Sequence, residues 1–350
     1  MFNAVSRLDL ARICAVPILA VFLALPHGMA LSEERIVFIS HAPDADSWWN
    51  TIRNSIKQAA EDYGVRVEFR NPKDGSIEEM AKIIDAAAES KPDGIISTIG
   101  DYKVLKDPLT RVTQKYKIPL ITYNSGTYEQ SESVGALLHI GQPEFEAGVL
   151  AGQRAAQEGV KSFVCLNHYS NNPASHERCQ GFAKGLGLSK ANELTLPTDD
   201  KGIEAAISAY LSTHGNSADA LLALGPQPAH ATLAALKSVK LEKKPYIVTF
   251  DLSNAITSAV KAGQIAFAID QQPYLQGYLS VAMMAITLRN KNLDLSINKL
   301  ALYTNMKLHK RMSDYDIELR SFGKRHIDSG PGYVTRANAA KVEMYSGSYR

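Results

Sequence analysis

The sequence predicts an α/β protein with two lobes, each built around a mainly parallel β-sheet. Its 350 residues, 45% hydrophobic and 21% charged, have an ordinary globular composition and suffice for roughly two to three domains. From residue 35 onward, short apolar runs alternate with longer amphipathic stretches at a spacing of roughly thirty residues, which is typical of βαβ units. Ten such runs exceed the about four to six strands of a usual sheet, so two sheets are expected.

Residues 1–30 are interpreted as a cleavable secretory signal peptide. Arg7 and Arg12 precede an apolar run at 13–25, and the small-x-small triplet at 28–30 predicts cleavage after residue 30. The run is shorter than the about 20 residues that span a bilayer, and Pro17 interrupts it. The alternative is that the segment stays as an anchor. We expect a soluble exported protein.

The apolar runs predict ten strands and the amphipathic stretches nine helices. At 51–64, for example, Ile52, Ile56 and Ala60 recur at helical spacing and Gly64 ends the helix. The predicted strands are 36–40, 65–70, 94–99, 119–124, 136–140, 162–167, 193–196, 220–224, 246–250 and 265–269. The other predicted helices are 77–89, 105–117, 144–158, 173–186, 203–212, 229–237, 255–262 and 274–289.

The chain is expected to pass between the lobes at tight crossings, because no Pro-, Gly- or Ser-rich linker separates them. The first crossing is predicted near 140–142 and the second at 270–273. The predicted N-terminal lobe is 31–140 plus 273–300, and the predicted C-terminal lobe is 141–272 plus 301–350. From about residue 300 the hydrophobic periodicity is weak, so no elements are predicted there.

The sequence gives no support for several function classes. Lys plus Arg number 38 against 36 Asp plus Glu, without a basic block, so nucleic acid is not an expected partner. There is no GxxxxGK[ST] phosphate loop, HExxH helix, GxSxG elbow or GxGxxG fingerprint. The nine histidines are dispersed, and His168 and His176 lack a zinc-ligand spacing. No metal, cofactor or catalytic residue is therefore assigned.

Polar and aromatic residues follow the first predicted strand, where open α/β sheets bind their ligands. Asp46 or Ser47 is a candidate helix N-cap, and Trp48 and Trp49 are the only two tryptophans of the chain. Neighbours on a helix do not share a face, so one ring is expected to pack inward and the other to face the cleft. A tryptophan face suits the C–H surface of a sugar ring, and Asp46 can accept hydroxyl protons. The alternative is two core tryptophans.

Four further polar residues are predicted at strand ends or crossings. A guanidinium, a carboxylate and two amides provide the paired donors and acceptors that a polyhydroxyl compound needs. For each residue taken alone, a structural role in a capped turn or a surface ion pair is as good an explanation as ligand binding. They are Asn124, Arg178, Asp251 and Gln271.

Cys165 and Cys179 are the two cysteines that remain after removal of the signal peptide. An even number in an exported protein permits a disulfide, and a 15-residue loop would gain about 3 kcal/mol from its closure. Two separate buried thiols are the alternative.

These segments together resemble the sugar-type (type I) periplasmic binding proteins of bacterial ABC transporters, the family of ribose- and galactose-binding proteins. The resemblance covers nearly the whole chain after residue 30. It implies two Rossmann-like lobes joined by three crossings, with the ligand enclosed between them. It rests, in order, on SWWNTIRNSI, IPLITYNSG, HIGQPEFEAGVLAG, HERCQGF, VTFDLS, VKAGQIAFAIDQQPYLQGY and PGYVT.

The resemblance also implies roles for the candidate residues. Asp46 matches a polar ligand contact, Trp48 and Trp49 the stacking aromatics, Asn124 an acidic or amide residue, Arg178 the hydroxyl-binding arginine, Asp251 a carboxylate and Gln271 the hinge-side glutamine. The sequence departs from the family at Ser125, where arginine is frequent, and at 225–227, where Gly-Pro-Gln replaces a common asparagine-aspartate pair. The tail from residue 300 is also longer than in the simplest members.

The implied function is capture of a small sugar or polyol in the periplasm by a monomeric protein, and its delivery to the membrane permease of an ABC importer. The alternative is ligand sensing for a membrane sensor kinase or chemoreceptor. A repressor with the same fold is not expected, because a signal peptide stands where a DNA-binding helix-turn-helix would be. A periplasmic sugar-modifying enzyme would need an acid/base pair, for which Asp46 and Asp251 are the candidates.

Overall fold

The structure is a computed structural model that describes residues 33–170, 172–215, 217–290, 305–323 and 325–350. The predicted signal peptide at 1–30 lies outside the described residues, as do residues 291–300 of the predicted N-terminal lobe.

Within this part of the chain, seven strands form the first sheet. They are β1 Arg35–Ile39, β2 Arg66–Arg70, β3 Gly94–Ser97, β4 Leu120–Tyr123, β5 Leu138–Gly141, β11 Ser321–Phe322 and β12 His326–Asp328. Their order is β11-β12-β5-β4-β3-β1-β2, and every neighbouring pair is parallel except β11 and β12.

Six strands form the second sheet in the described residues. They are β6 Phe163–Asn167, β7 Glu193–Thr195, β8 Ala220–Ala223, β9 Tyr246–Phe250, β10 Phe267–Asp270 and β13 Gly332–Thr335. Their order is β13-β10-β9-β8-β6-β7, with only β13 antiparallel to its neighbour. The predicted fold class, two α/β lobes with mainly parallel sheets, is therefore confirmed.

Twelve α-helices are present in the described residues, with a short 3-10 helix at Ser47–Trp49. They are α1 Asn50–Tyr63, α2 Ile77–Glu89, α3 Tyr102–Gln114, α4 Tyr128–Ser133, α5 Glu144–Gln157, α6 Pro173–Gly185, α7 Asp200–His214, α8 Pro226–Ser238, α9 Asn254–Lys261, α10 Pro273–Asn290, α11 Met306–Tyr315 and α12 Ala339–Glu343. All ten predicted strands are present within about two residues, and all nine predicted helices within about three.

The first sheet is covered on both faces, which explains its continuous apolar strands. Helices α1, α10 and α11 contribute Ile52, Tyr278 and Leu308 to the core on one face. Helices α2 and α3 contribute Ile84 and Leu109 to the core on the other.

The chain passes from one sheet to the other at three places. The first is between Gly141 and Glu144 and the second between Asp270 and Pro273, close to the two predicted crossings. The third runs through residues 329–331 between β12 and β13, and its Gly330–Pro331 peptide bond is cis.

The structure corrects the predicted assignment of residues 301–350 to the C-terminal lobe. Leu308 and Ile327 are buried in the core of the first sheet, so α11, β11 and β12 belong to the first lobe. Val334 and Ala339 are buried beside the second sheet, so β13 and α12 belong to the second. The lobe to which these segments belong is decided by contacts with residues far away in the sequence, so the sequence did not predict it.

Residues 345–350, here called the strap, return from α12 to the first lobe. The rings of Tyr345 and Tyr349 lie 5.1 and 4.6 Å, centroid to centroid, from that of Tyr315 on α11. Asn54 of α1 donates a hydrogen bond of 2.9 Å to the carbonyl oxygen of Ser348. The strap therefore packs on the first lobe although it follows an element of the second.

Candidate functional site

Open α/β sheets bind their ligands at the carboxyl ends of their parallel strands, and the region at these ends of the two sheets is here called the cleft. Asp46 and Asn124 follow β1 and β4 in the first lobe. Arg178 lies in α6, which follows β6, while Asp251 follows β9 and Gln271 follows β10.

The two tryptophans face different surroundings. Trp49 is 4% exposed and packs in the first core, with its ring in edge contact with those of His41 and Tyr123. Trp48 is half-buried, and its ring lies 5.2 Å from that of Trp49. Trp49 is therefore the ring that packs inward, and Trp48 is the one with a partly open face.

Asp46 caps the 3-10 helix that carries both tryptophans. Its Oδ1 accepts a hydrogen bond of 3.0 Å from the backbone nitrogen of Trp48. Burial raises the pKa of Asp46, against the effects of that hydrogen bond and of the Arg53 charge. The predicted N-cap at Asp46 is confirmed.

The lobes approach each other near Asp46. Burial raises the pKa of the Tyr169 hydroxyl, and the negative charge of Asp46 raises it further. Tyr169 follows β6 of the second lobe and is 47% exposed. Asp46 of the first lobe and Tyr169 of the second are therefore close enough for the charge of one to act on the other.

Arg178 does not stand free in the cleft, because Glu144 binds its guanidinium. Nε and Nη2 donate to the two carboxylate oxygens over 2.7 and 2.8 Å, and both side chains are about 90% buried. Nη1 donates to the carbonyl of Leu224 over 3.3 Å and lies 4.0 Å from Oδ2 of Asp251. The guanidinium carbon is 4.5 Å from the ring centre of Phe250. Glu144 therefore occupies Nε and Nη2, and Nη1 is the nitrogen that lies near the second carboxylate, that of Asp251.

Glu144 is a site residue that the sequence analysis missed. It begins α5 directly after the first crossing, which is the signal that would have found it. Gln142 extends the pair, since its Nε2 donates to Glu144 over 2.7 Å, whereas its buried Oε1 has no partner.

Close packing of α5 on α6 holds Glu144 against Arg178. A Cβ atom at Gly152 would lie 2.3 Å from the carbonyl oxygen of Phe182, and one at Gly181 would lie 2.1 Å from that of Phe145. No side chain fits at such distances, so the backbones of the two helices touch. The glycines at this contact are Gly148, Gly152, Gly181 and Gly185.

A disulfide joins Cys165 of β6 to Cys179 of α6, with an S–S distance of 2.04 Å and a Cα–Cα distance of 5.8 Å. This is the first of the two alternatives that the sequence left open. Cys179 follows Arg178 directly, so the bridge fixes the arginine-bearing turn of α6 to the second sheet.

Asp251 and Gln271 are paired at the end of the second sheet. Gln271 Nε2 donates to Asp251 Oδ1 over 2.6 Å, and Asp251 has a left-handed backbone with φ of 65°. Burial raises the pKa of Asp251 to about 7, although the Arg178 charge and the Gln271 hydrogen bond oppose the shift. The carboxyl group is therefore partly protonated near neutral pH.

Asn124 is connected to this pair through the crossings. Its Nδ2 donates to Gln276 Oε1 over 2.9 Å, and Gln276 Nε2 donates to Ser329 Oγ over 3.0 Å. Ser329 Oγ donates to the carbonyl of Gln271 over 2.7 Å. A series of hydrogen bonds thus runs from Asn124 in the first lobe to Asp251 in the second, through two residues that the sequence analysis missed.

Arg350 of the strap forms a buried ion pair at the second crossing. Its Nε donates to Asp270 Oδ2 over 2.8 Å, and both side chains are 2% exposed. The other oxygen of Asp270 accepts the backbone N–H of Gln272 over 2.7 Å. Arg350 was also missed, since it follows a segment without periodicity.

The described residues contain no cluster of three or more His, Cys, Asp or Glu side chains arranged to hold a metal ion. In the same residues, no helix combines the length and apolar character needed to cross a membrane.

Comparisons with known proteins agree with this architecture. A family model described as a periplasmic binding protein domain matches residues 36–292. The ribose import binding protein of Haemophilus influenzae is 23% identical over 282 residues, an alignment that covers 79% of this chain and 94% of that protein.

Solved structures also resemble the chain. The carbohydrate transporter of Acidothermus cellulolyticus in complex with myo-inositol has a TM-score of 0.76 and 26% identity, covering 91% of this chain and 100% of that one. A chain of the XylFII–LytSN complex has a TM-score of 0.65 and 23% identity, covering 75% of this chain and 95% of that one. Because the family model spans more than half of the chain, the protein belongs to the family of periplasmic binding protein domains.

Proposed function

We propose that the protein binds one small, uncharged polyhydroxyl compound, a sugar or a polyol, between its two lobes in the periplasm. The observation that carries the proposal is the set of polar groups that follow the strands of both lobes, half-buried in the first lobe and buried in the second. Asp46 and Asn124 come from the first lobe, and Arg178, Asp251 and Gln271 come from the second.

The chemistry of these groups favours hydroxyl groups over an anion. Glu144 already neutralises the charge of Arg178, while Asp46 and Asp251 add two carboxyl groups to the cleft. A sugar phosphate or sugar acid would meet these carboxyl groups, while the one guanidinium among the candidate residues is already paired with Glu144. A neutral polyol can donate its hydroxyl protons to the carboxylate oxygens and accept from Nη1 of Arg178. The partly open ring of Trp48 offers a stacking surface for the C–H face.

Two relatives support this ligand class. The curated relative is named for ribose import, and the structural neighbour with 26% identity holds myo-inositol. Both ligands are neutral rings with several hydroxyl groups. Members of this family are binding proteins rather than enzymes.

We propose that ligand binding closes the two lobes and that the permease recognises the closed conformation. A ligand that contacts both lobes stabilises the conformation in which they are close together. The closed protein then docks on the membrane subunit of an ABC importer, after export directed by residues 1–30. Sensing through a membrane receptor is the second candidate, since one protein with this fold was solved in the XylFII–LytSN complex.

The test is a calorimetric and thermal-shift screen of the mature protein against pentoses, hexoses, inositols and linear polyols. A ligand at a hundred times its dissociation constant should stabilise the fold by about 2.7 kcal/mol. Asp251→Asn should lose the response, whereas Asp85→Asn, at an ion pair on the surface, should retain it. The ligand should be recovered unchanged, because turnover would indicate an enzyme. No response to any compound would contradict the proposal.

Loss of uptake in cells that lack the protein, with ligand-dependent gene expression unchanged, would favour the importer. The reverse result would favour the sensor.

A further inference from the structure

Strands β8, β9 and β10 of the second sheet are followed by residues whose side chains differ in polarity. Asp251 follows β9 and Gln271 follows β10, and both present polar side chains. After β8 the corresponding residue is Gly225, which presents none. Its backbone, with φ of 170° and ψ of −178°, is an extended conformation open to any residue. The backbone conformation therefore does not explain the glycine.

The imidazole of His168 explains it. A Cβ atom at position 225 would lie 3.2 Å from Cε1 of His168 and 3.5 Å from Nε2. His168 directly follows β6, the strand beside β8, so its ring lies over Gly225 at the same sheet edge. A histidine from the neighbouring strand thus occupies the space of the missing side chain.

His168 also has an unused polar atom. The residue is 3% exposed, and its buried Nδ1 has no hydrogen-bond partner. In the neutral imidazole, Nδ1 can carry a lone pair and accept a hydrogen bond.

The surroundings keep the ring neutral. Burial and, second, the positive charge of Arg178 lower the pKa of His168 to about 4. Nη1 of Arg178 donates to the carbonyl of Leu224, the residue before Gly225, so the histidine beside Gly225 lies near the guanidinium. A buried acceptor without a partner, beside the proposed ligand contacts, is the arrangement expected where a ligand supplies the missing donor.

We propose that His168 is a ligand-contacting residue whose Nδ1 accepts a hydrogen bond from a hydroxyl of the bound compound. The inference rests on the proposed function and adds to it a residue that determines specificity. A compound that lacks the hydroxyl at this point leaves Nδ1 unpaired and binds less tightly.

The test uses D-ribose and myo-inositol as probes, each titrated calorimetrically into the wild-type protein and into variants. His168→Phe keeps an aromatic ring without the acceptor and should weaken binding of the wild-type probe by roughly tenfold to a hundredfold. His214→Phe is the matched control, since His214 is in the last turn of α7 and is exposed. Its affinity should equal that of the wild type.

Substitutions at both His168 and Gly225 distinguish a ligand contact by His168 from a packing role. Gly225→Asn alone should weaken binding, because the new Cβ crowds the imidazole. His168→Ala with Gly225→Asn supplies an amide from the other strand and should bind more tightly than His168→Ala alone. His168→Ala with Gly225→Leu is the matched packing control, because leucine fills the same space without an amide; an equal gain in affinity from this variant would indicate packing and overturn the contact.

Should His168→Phe fail to fold, nuclear magnetic resonance of nitrogen-labelled histidine in the wild type decides. The Nδ1 resonance should shift on addition of the probe that binds, and an unchanged resonance overturns the contact. Binding of a probe with equal affinity to His168→Phe also overturns the inference, while leaving the proposed function in place. Binding of neither probe to the wild type contradicts this inference for both compounds, whereas the broader screen above tests the proposed function.

Discussion

Arg178 and Glu144 form a two-bond ion pair that is about 90% buried and connects the first turn of α5 to α6. Removal of one partner from such a pair leaves a buried charge without compensation. The pair therefore fixes the position of the guanidinium and lowers its availability to a ligand.

Glu144→Ala should lower the free energy of unfolding by about 3–5 kcal/mol, the usual effect of breaking a buried pair. Asp85→Ala is the matched control, because Asp85 also binds its arginine, Arg111, through two hydrogen bonds, but both side chains are about 40% exposed. The control should lose at most about 1 kcal/mol. Urea unfolding measures both, and equal losses would contradict the role of burial.

Arg178→Lys should weaken ligand binding severely. A lysine ammonium is a compact point charge that cannot reproduce the planar fork with which Arg178 binds both oxygens of Glu144 while Nη1 donates to Leu224. Calorimetric titration with a sugar found in the screen measures the change. A normal dissociation constant in this variant would remove Arg178 from the proposed site.

The two tryptophans should respond differently to truncation. Trp49→Ala removes a core ring and should destabilise the fold by about 3–5 kcal/mol. Trp48→Ala should cost less stability and weaken binding more, because its face is partly open. Thermal unfolding and titration of both variants check this, and a Trp48→Ala variant with full affinity would leave stacking without support.

Asp251 should make the ligand-free protein less stable as the pH rises from 4 to 8. Its pKa is about 7 in the folded protein against 3.8 for the unperturbed group. Between these values the folded state holds a proton that the unfolded state has released, so stability falls through this range. The loss is on the order of 4 kcal/mol. Asp251→Asn should remove the dependence, so its stability relative to the wild type should be higher at pH 8 than at pH 5.

Reduction of the Cys165–Cys179 bridge should lower stability by about 3 kcal/mol, the chain-entropy value for a 15-residue loop. The measurement compares urea unfolding with and without reductant. A thiol assay on the unfolded, unreduced mature protein should find no reactive group at these positions. Two reactive thiols would show that the bridge is absent in solution.

Strands such as 94–97 were predictable because they are local runs of apolar residues covered on both faces. Strand β12 was not, because Ile327 pairs with Ile140, far away in sequence, and three residues are too short to show a pattern. The cleft residues that follow strands were accessible to the same reasoning. Glu144 could have been assigned from its position directly after the first crossing. Arg350 could not, because a charged residue gives no sign in the sequence that it will be buried against a partner.

The strap has a consequence for the speed and cost of ligand capture. Three crossings and the Arg350–Asp270 ion pair hold the lobes together at four places, so neither half of the cleft can diffuse away from the other. The ligand-contacting residues of one lobe are therefore always at a high effective concentration relative to those of the other. Closing the cleft then costs the polypeptide chain little conformational entropy. Differences in affinity among ligands should then come from their contacts within the cleft, and appear mainly as differences in dissociation rate.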